Sequence, residues 1–256
     1  MREDGPAAHL SKGGTTTAGG LLFVPIGVLL GLWAANASPE TLAVATAAAA
    51  FGAVGLVDDF FTVWGATRRL VWAKLAVQCL AASALCVAAH RLVPGAALFS
   101  SLPLWPAPQG HVLLAVGPTL YWLLSGATIV AEANGVNLTD GMDGLAAGVC
   151  SAAFLATAVG ASASAPSLAP LLVAVAGSCL GFAFLNRFPA SVFMGNAGSL
   201  ALGAMLGTAA AVTRQFGPVL LATLVPAVEA ASVLVQVLGY KATKRGAQVR
   251  VLRREG

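Results

Sequence analysis

Charge is scarce in this sequence. Ten acidic and fourteen basic side chains amount to 9% of 256 residues, against roughly 25% in soluble domains. An ordinary solvated globule is thereby excluded. Cysteine and histidine are also few, four and three. Cys79, Cys86, Cys150 and Cys179 fall inside apolar runs without paired ligand spacing, which suggests neither a disulfide framework nor a zinc site. His9, His90 and His111 are too scattered to form a ligand cluster. Residues 1–19 have no apolar core, so they do not resemble a signal peptide.

What the chain has in abundance is hydrocarbon. Hydrophobic residues make up 58%, gathered in runs at about 20–37, 41–57, 70–90, 111–131, 144–163, 168–185, 199–213 and 217–239, each about long enough to cross roughly 30 Å of bilayer. Lipid leaves no partner for unpaired backbone groups, so helices are the expectation. The fold class read from the sequence is therefore all-α, a polytopic membrane helix bundle of about eight transmembrane helices. Run 199–213 is the weakest, short and rich in glycine and alanine. Eight alternating spans place the N-terminus, 58–69, 132–143, 186–198 and the C-terminal tail on one face. Twelve of the fourteen basic residues then share it, with Arg91 and Arg214 left on the other. By the positive-inside rule that face is cytoplasmic, or stromal in a plastid.

The few polar residues collect on the same face. Asn134-Gly135-Val136-Asn137-Leu138-Thr139-Asp140-Gly141-Met142-Asp143-Gly144 sets two amides, a hydroxyl and two carboxylates among glycines. Its plainer alternative is a polar turn. Asp58-Asp59 is a carboxylate pair beside the membrane, a functional candidate that could bind a cation or act as a base, or merely anchor the interface. Lys74 lies one turn into the third run, where it could hold a phosphate or simply snorkel. Lys12-Gly13-Gly14-Thr15-Thr16-Thr17 offers a cation and hydroxyls on a flexible backbone, or only a solubilising terminus. Phe193, in the turn 186–199, could stack on a base or simply pack.

The ordered motifs KGGTTTAGG, GLVDDF, NGVNLTDGMDGLAAG, NRFPASVFMGNAGSLALG and VEAASVLVQV resemble the polyprenyl-phosphate N-acetylhexosamine-1-phosphate transferases, part of a wider glycosyltransferase 4 superfamily. The similarity runs from about Arg2 through Arg245. It implies a transferase-like membrane domain at 1–245 and a basic tail at 246–256, within a family pattern of ten helices whose first and last have no counterpart here. It also implies transfer of phospho-MurNAc-pentapeptide from UDP-MurNAc-pentapeptide to a polyprenyl phosphate, with Mg²⁺. The sister transferases that use UDP-GlcNAc are the alternative, as is a catalytically impaired membrane partner protein. Carried over by motif, Asp58 and Asp59 are catalytic. Lys12, Thr15, Lys74, Asn134, Asn137, Asp140, Asp143 and Phe193 bind substrate. Asn196 stands where the family has a Mg²⁺-ligating carboxylate, and the family's histidine cluster is missing after Lys244-Arg245. The implied setting is a bacterial inner membrane or a plastid membrane, with a homodimer among the expected assemblies and no nucleic acid.

Overall fold

A computed structural model describes residues 16–63, 67–92, 101–102, 114–115 and 117–254. Nine helices are described: α1 Gly20–Ala34, α2 Pro39–Val63, α3 Thr67–Leu92, α4 Pro118–Thr139, α5 Leu145–Ser164, α6 Ala169–Asn186, α7 Asn196–Thr213, α8 Phe216–Ala222 and α9 Leu224–Arg254. A two-residue antiparallel pairing of Ser101–Leu102 with Leu114–Ala115 is the one departure from helix among regular elements described. The expected all-α polytopic bundle is what forms. Among the described residues five helices are long and apolar enough to cross a membrane: Pro39–Thr62, Val71–Arg91, Leu145–Ser164, Ala169–Asn186 and Leu224–Thr243. Helix Gly20–Ala34 is apolar but shorter.

The weakest run in the sequence is the centre of the bundle. Every residue of α7 from Ala197 to Thr213 is buried, chiefly against α2 and α4. A helix enclosed by protein needs small residues for close approach rather than long apolar ones for lipid. Gly203 shows why: a Cβ there would run into the Glu132 carbonyl oxygen, and one at Gly207 would come within 2.6 Å of Ile129 Cα. On the opposite side, a Cβ at Gly55 of α2 would collide with the Asn196 carbonyl. These contacts bring the ends of α2, α4 and α7 together.

Local sequence sets the helix ends. Ser38 Oγ accepts from the Thr41 N–H at 3.4 Å at the start of α2, Pro39 occupies the first turn and Glu40 adds a favourable charge there. Three boundaries differ from the sequence expectation. Helix α2 continues to Val63, so Asp58 and Asp59 lie in its last turns rather than in a loop. Helix α4 continues to Thr139, so Asn134 and Asn137, three apart, lie on one helical face. The run 217–239 is broken between α8 and α9, where Thr223 Oγ1 donates to Glu132 Oε1 at 2.8 Å. Residues 246–254 continue α9 without a break.

Candidate functional site

Adjacent on α2, Asp58 and Asp59 point to different partners because each helical residue turns the side chain by about 100°. Asp59 faces the start of α7. Its Oδ1 accepts the Asn196 N–H and its Oδ2 the Ala197 N–H, both at 3.1 Å. Those amides have no partner within their own helix, and the carboxylate also meets the positive end of the helix dipole. Gly195 makes the approach feasible. Its φ is +79°, and a Cβ would meet the Thr17 carbonyl and lie 3.1 Å from Asp59 Oδ2.

Asp58 faces a side-chain network instead. Lys74 Nζ donates to its Oδ2 at 2.7 Å and Asn196 Nδ2 donates to the same oxygen at 2.9 Å. The other end of the Asn196 amide is also engaged, since Asn137 Nδ2 donates to its Oδ1 at 2.6 Å. Asn137 Nδ2 donates further to Ser199 Oγ at 2.8 Å, which fixes which way both amides face. Asn134 lies on the same face of α4 and pairs with Gln78, Nδ2 to Oε1 at 2.8 Å.

The turn after α4 adds two acids. Asp140 caps α4, its own N–H bonded to the Val136 carbonyl at 3.1 Å. Burial, then the nearby charge of Asp59, pushes its carboxyl up to about 7, against a hydrogen bond from the Gly195 N–H. Asp143 Oδ2 accepts the Ala190 N–H at 3.1 Å. Asn186 ties the two turns together, accepting from the Gly144 N–H at 2.9 Å and donating to the Val192 carbonyl at 2.9 Å. Phe193 is half-buried, and its backbone pairs with the N-terminal strand of chain. Its N–H donates to Thr16 O at 2.8 Å and its carbonyl accepts from the Gly19 N–H at 3.0 Å.

A sequence profile described as glycosyl transferase family 4 matches residues 41–214, from α2 through the end of α7. The chain belongs to that family. Its similarity to curated relatives covers more of the chain. It is 39% identical over 249 residues to a phospho-N-acetylmuramoyl-pentapeptide-transferase of Picosynechococcus sp., an alignment covering 95% of this chain and 65% of the relative. The protein of the same name from Nostoc punctiforme is 39% identical over 249 residues, covering 95% and 66%. That from Trichormus variabilis is 39% identical over 252 residues, covering 95% and 65%. The chain thus spans a little under two thirds of the length of these relatives. Its apolar helices and its family make it an integral membrane protein.

Within this member of the family the structure brings together Asp58, Asp59, Lys74, Asn137, Asp140 and Asn196. Asn134 sits one turn back along α4. Asp143 and Phe193 belong to the adjoining turns. Lys12 and Thr15 lie outside the described residues. Three contributors were not singled out from sequence: Gln78, Ser199 and Asn186. Gln78 carried a signal, a polar side chain in an apolar helix four residues beyond Lys74 and now fully buried. Asn186 and Ser199 stood inside a recognised motif but gave no sign of their partners.

The donor set suits a divalent cation whose coordination substrate completes. Asp58 and Asp140 offer carboxyls, both oxygens of Asp59 being taken by the α7 amides, and Lys74 supplies one cation beside Asp58. Among the described residues, however, no three acidic, histidine or cysteine side chains converge as a ready-made metal site. Mg²⁺ is commonly held by one or two carboxylates together with substrate phosphates. The Asn196 amide is turned with its N–H towards Asp58 and its oxygen towards Asn137. It could ligate such an ion only after exchanging that arrangement.

Proposed function

We propose that the chain transfers phospho-MurNAc-pentapeptide from UDP-MurNAc-pentapeptide to a polyprenyl phosphate, releasing UMP and forming lipid I, the membrane-bound precursor of peptidoglycan. The observation that carries this reading is the contact chain Lys74–Asp58–Asn196–Asn137, drawn from four helices within the family segment. The names of the relatives supply the substrate class. In the reaction a lipid phosphate oxygen attacks the sugar-linked phosphorus. The phosphorus–oxygen bond to UMP breaks, and UMP leaves with the electron pair.

Such a transfer depends on alignment and charge neutralisation. Lys74 donates to the acceptor phosphate, and Asp58 beside it orients that phosphate and takes its proton. Asp59 acts by holding the first amides of α7 in place. Asn134, Asn137, Asp140 and Asp143 line the nucleotide-sugar side, Phe193 stacks on uracil, and Lys12 and Thr15 hold phosphate. Mg²⁺, held by Asp58 and Asp140 with the substrate diphosphate and with Asn196 beside them, would supply charge neutralisation for the leaving UMP.

The reading takes residues 1–245 as the catalytic membrane domain and 246–256 as a basic tail. The crowding of basic residues at the motif end supports a site facing the cytoplasm of a bacterial inner membrane, or the stroma of a plastid. The assembly proposed is a homodimer. A second reading, an impaired homologue serving as a membrane partner, draws on the Asn196 amide, which withholds its oxygen from Asp58. One assay separates them: purified protein with polyprenyl phosphate and radiolabelled UDP-MurNAc-pentapeptide, with UDP-GlcNAc in parallel. Labelled lipid from the first donor alone supports the transferase. Product from UDP-GlcNAc alone would replace the substrate, and no product from either would favour the partner protein.

A further inference from the structure

The contact chain Lys74–Asp58–Asn196–Asn137 has two ends, and a second polar contact joins them. On α3, Gln78 follows Lys74 by four residues; on α4, Asn134 precedes Asn137 by three, so each pair shares a helical face. Asn134 Nδ2 donates to Gln78 Oε1 at 2.8 Å, and Gln78 Nε2 returns a longer contact to Asn134 Oδ1 at 3.5 Å. From that contact Lys74 lies one turn towards the start of α3 and Asn137 one turn towards the end of α4. Both arrive at the Asp58–Asn196 pair.

Gln78 is fully buried, whereas every other residue from 71 to 80 is exposed or half-buried. Leucine would seat α3 there at no cost, while a buried amide is expensive unless bonded. Ala82 and Leu85, the buried residues further along α3, pack without direction. A polar contact in such a seam fixes how two helices are aligned along their length. Asn134 has no amide proton to spare, since the second goes to the Val130 carbonyl at 2.8 Å.

We infer that Gln78 is a positioning residue: by bonding Asn134 it closes the four-helix contact chain into a ring and sets the height of Lys74 against Asn137. The inference rests on the proposed transfer and adds to it a residue that touches neither substrate. A slide of α3 by one residue, about 1.5 Å, is enough to take Lys74 out of step with Asp58. With its amide protons spent on Gln78 and Val130, Asn134 serves the nucleotide-sugar side by holding α4 in place.

The test uses the full chain in nanodiscs, with Gln78→Leu, Gln78→Met and the exchanged pair Gln78→Asn with Asn134→Gln. Gln78→Met covers the case in which the branched side chain disturbs folding. Under an amine-acetylating reagent read by mass spectrometry, Lys74 should be modified several times faster in either apolar variant than in wild type, with Lys241 of α9 as internal reference. The exchanged pair should return Lys74 to the wild-type rate. In transfer, kcat should fall roughly ten- to a hundredfold in the apolar variants, with the KM for the UDP-sugar within about twofold of wild type. The exchanged pair, which rebuilds an amide contact of the same total length, should recover most of that loss. Unchanged modification of Lys74, or a wild-type kcat in Gln78→Leu, would overturn the inference. So would an exchanged pair that melts with wild type yet turns over as slowly as Gln78→Leu. Faster modification of Lys74 with no transfer even from wild type would support the ring while removing the proposed reaction. Wild-type transfer with Lys74 modification unaltered by the substitutions would do the reverse.

Discussion

Asn196 donates from Nδ2 to Asp58 Oδ2 at 2.9 Å, so two side chains from α7 and α2 meet through an N–H rather than through a shared cation. A carboxylate at position 196 would face Asp58 as a like charge, and only a proton or a metal could relieve that contact. The amide removes the repulsion and gives up a negative charge that a hard cation would use.

Asn196→Asp should therefore make the site depend on metal. Without divalent ions the variant is expected to melt below wild type, by the equivalent of about 1–3 kcal/mol for the lost bond and the unpaired acceptor. Added Mg²⁺ should raise its melting temperature more than that of wild type and lower the Mg²⁺ needed for half-maximal transfer. Differential scanning fluorimetry across a Mg²⁺ series reads the first effect without relying on activity. Equal melting responses in the two proteins would remove position 196 from the metal site.

Asp58 and Asp59 should separate by readout. Asp59→Asn leaves one side-chain oxygen where two amides of α7 are now satisfied, and should cost about 1–2 kcal/mol of stability, the scale of a lost cap. Asp58→Asn should leave the melting temperature nearer to wild type and abolish most turnover. Comparable melting losses in both variants would mean that the pair acts as a single structural unit.

The pH dependence of stability should carry the mark of Asp140. Its carboxyl titrates at about 7 in the folded chain, against 3.8 for the ordinary group. The folded state thus holds more protons between those values, so this group's contribution is full at low pH and is lost as pH rises towards 7. Melting temperatures of wild type and Asp140→Asn, measured from pH 4 to 8, should converge at the acid end. At the alkaline end the variant should be the more stable. Parallel curves would contradict the burial and charge crowding assigned to this side chain.

Much of this arrangement could be read from the sequence, and the rest could not, for definable reasons. Apolar runs located most helices because lipid selects on length and hydropathy. Helix α7 looked weak because its neighbours are protein, and a run of Gly203, Gly207 and alanines signals close packing rather than membrane contact. The break at Thr223 was hidden because its partner, Glu132, is 91 residues away in sequence. The motifs named the acids of the site but not their division of labour. Asp58 and Asp59 are chemically identical, and only the rotation of α2 against α7 decides which one meets the amides.

The close approach of α4 to α7 offers a test at a distance from the chemistry. Gly203→Ala drives a Cβ into the Glu132 carbonyl, and separating backbones in a packed core costs about 1–3 kcal/mol. The displacement should also pull Asn137 away from Asn196, so turnover is expected to fall more than stability alone explains. Transfer assayed well below the variant's melting temperature checks this. Wild-type turnover there would show that the amide pair does not shape the reaction.

If Asp58, held between Lys74 and Asn196, serves the proposed attack of a lipid phosphate on a UDP-sugar, UMP release must depend on both the lipid and that carboxylate. Single-turnover release of UMP from UDP-MurNAc-pentapeptide, with and without polyprenyl phosphate, tests it most directly on purified wild type and Asp58→Asn. The expected result is UMP release that requires the lipid, appears in step with the lipid-linked product and falls by orders of magnitude in the variant. Lipid-dependent release at the wild-type rate in Asp58→Asn would contradict it.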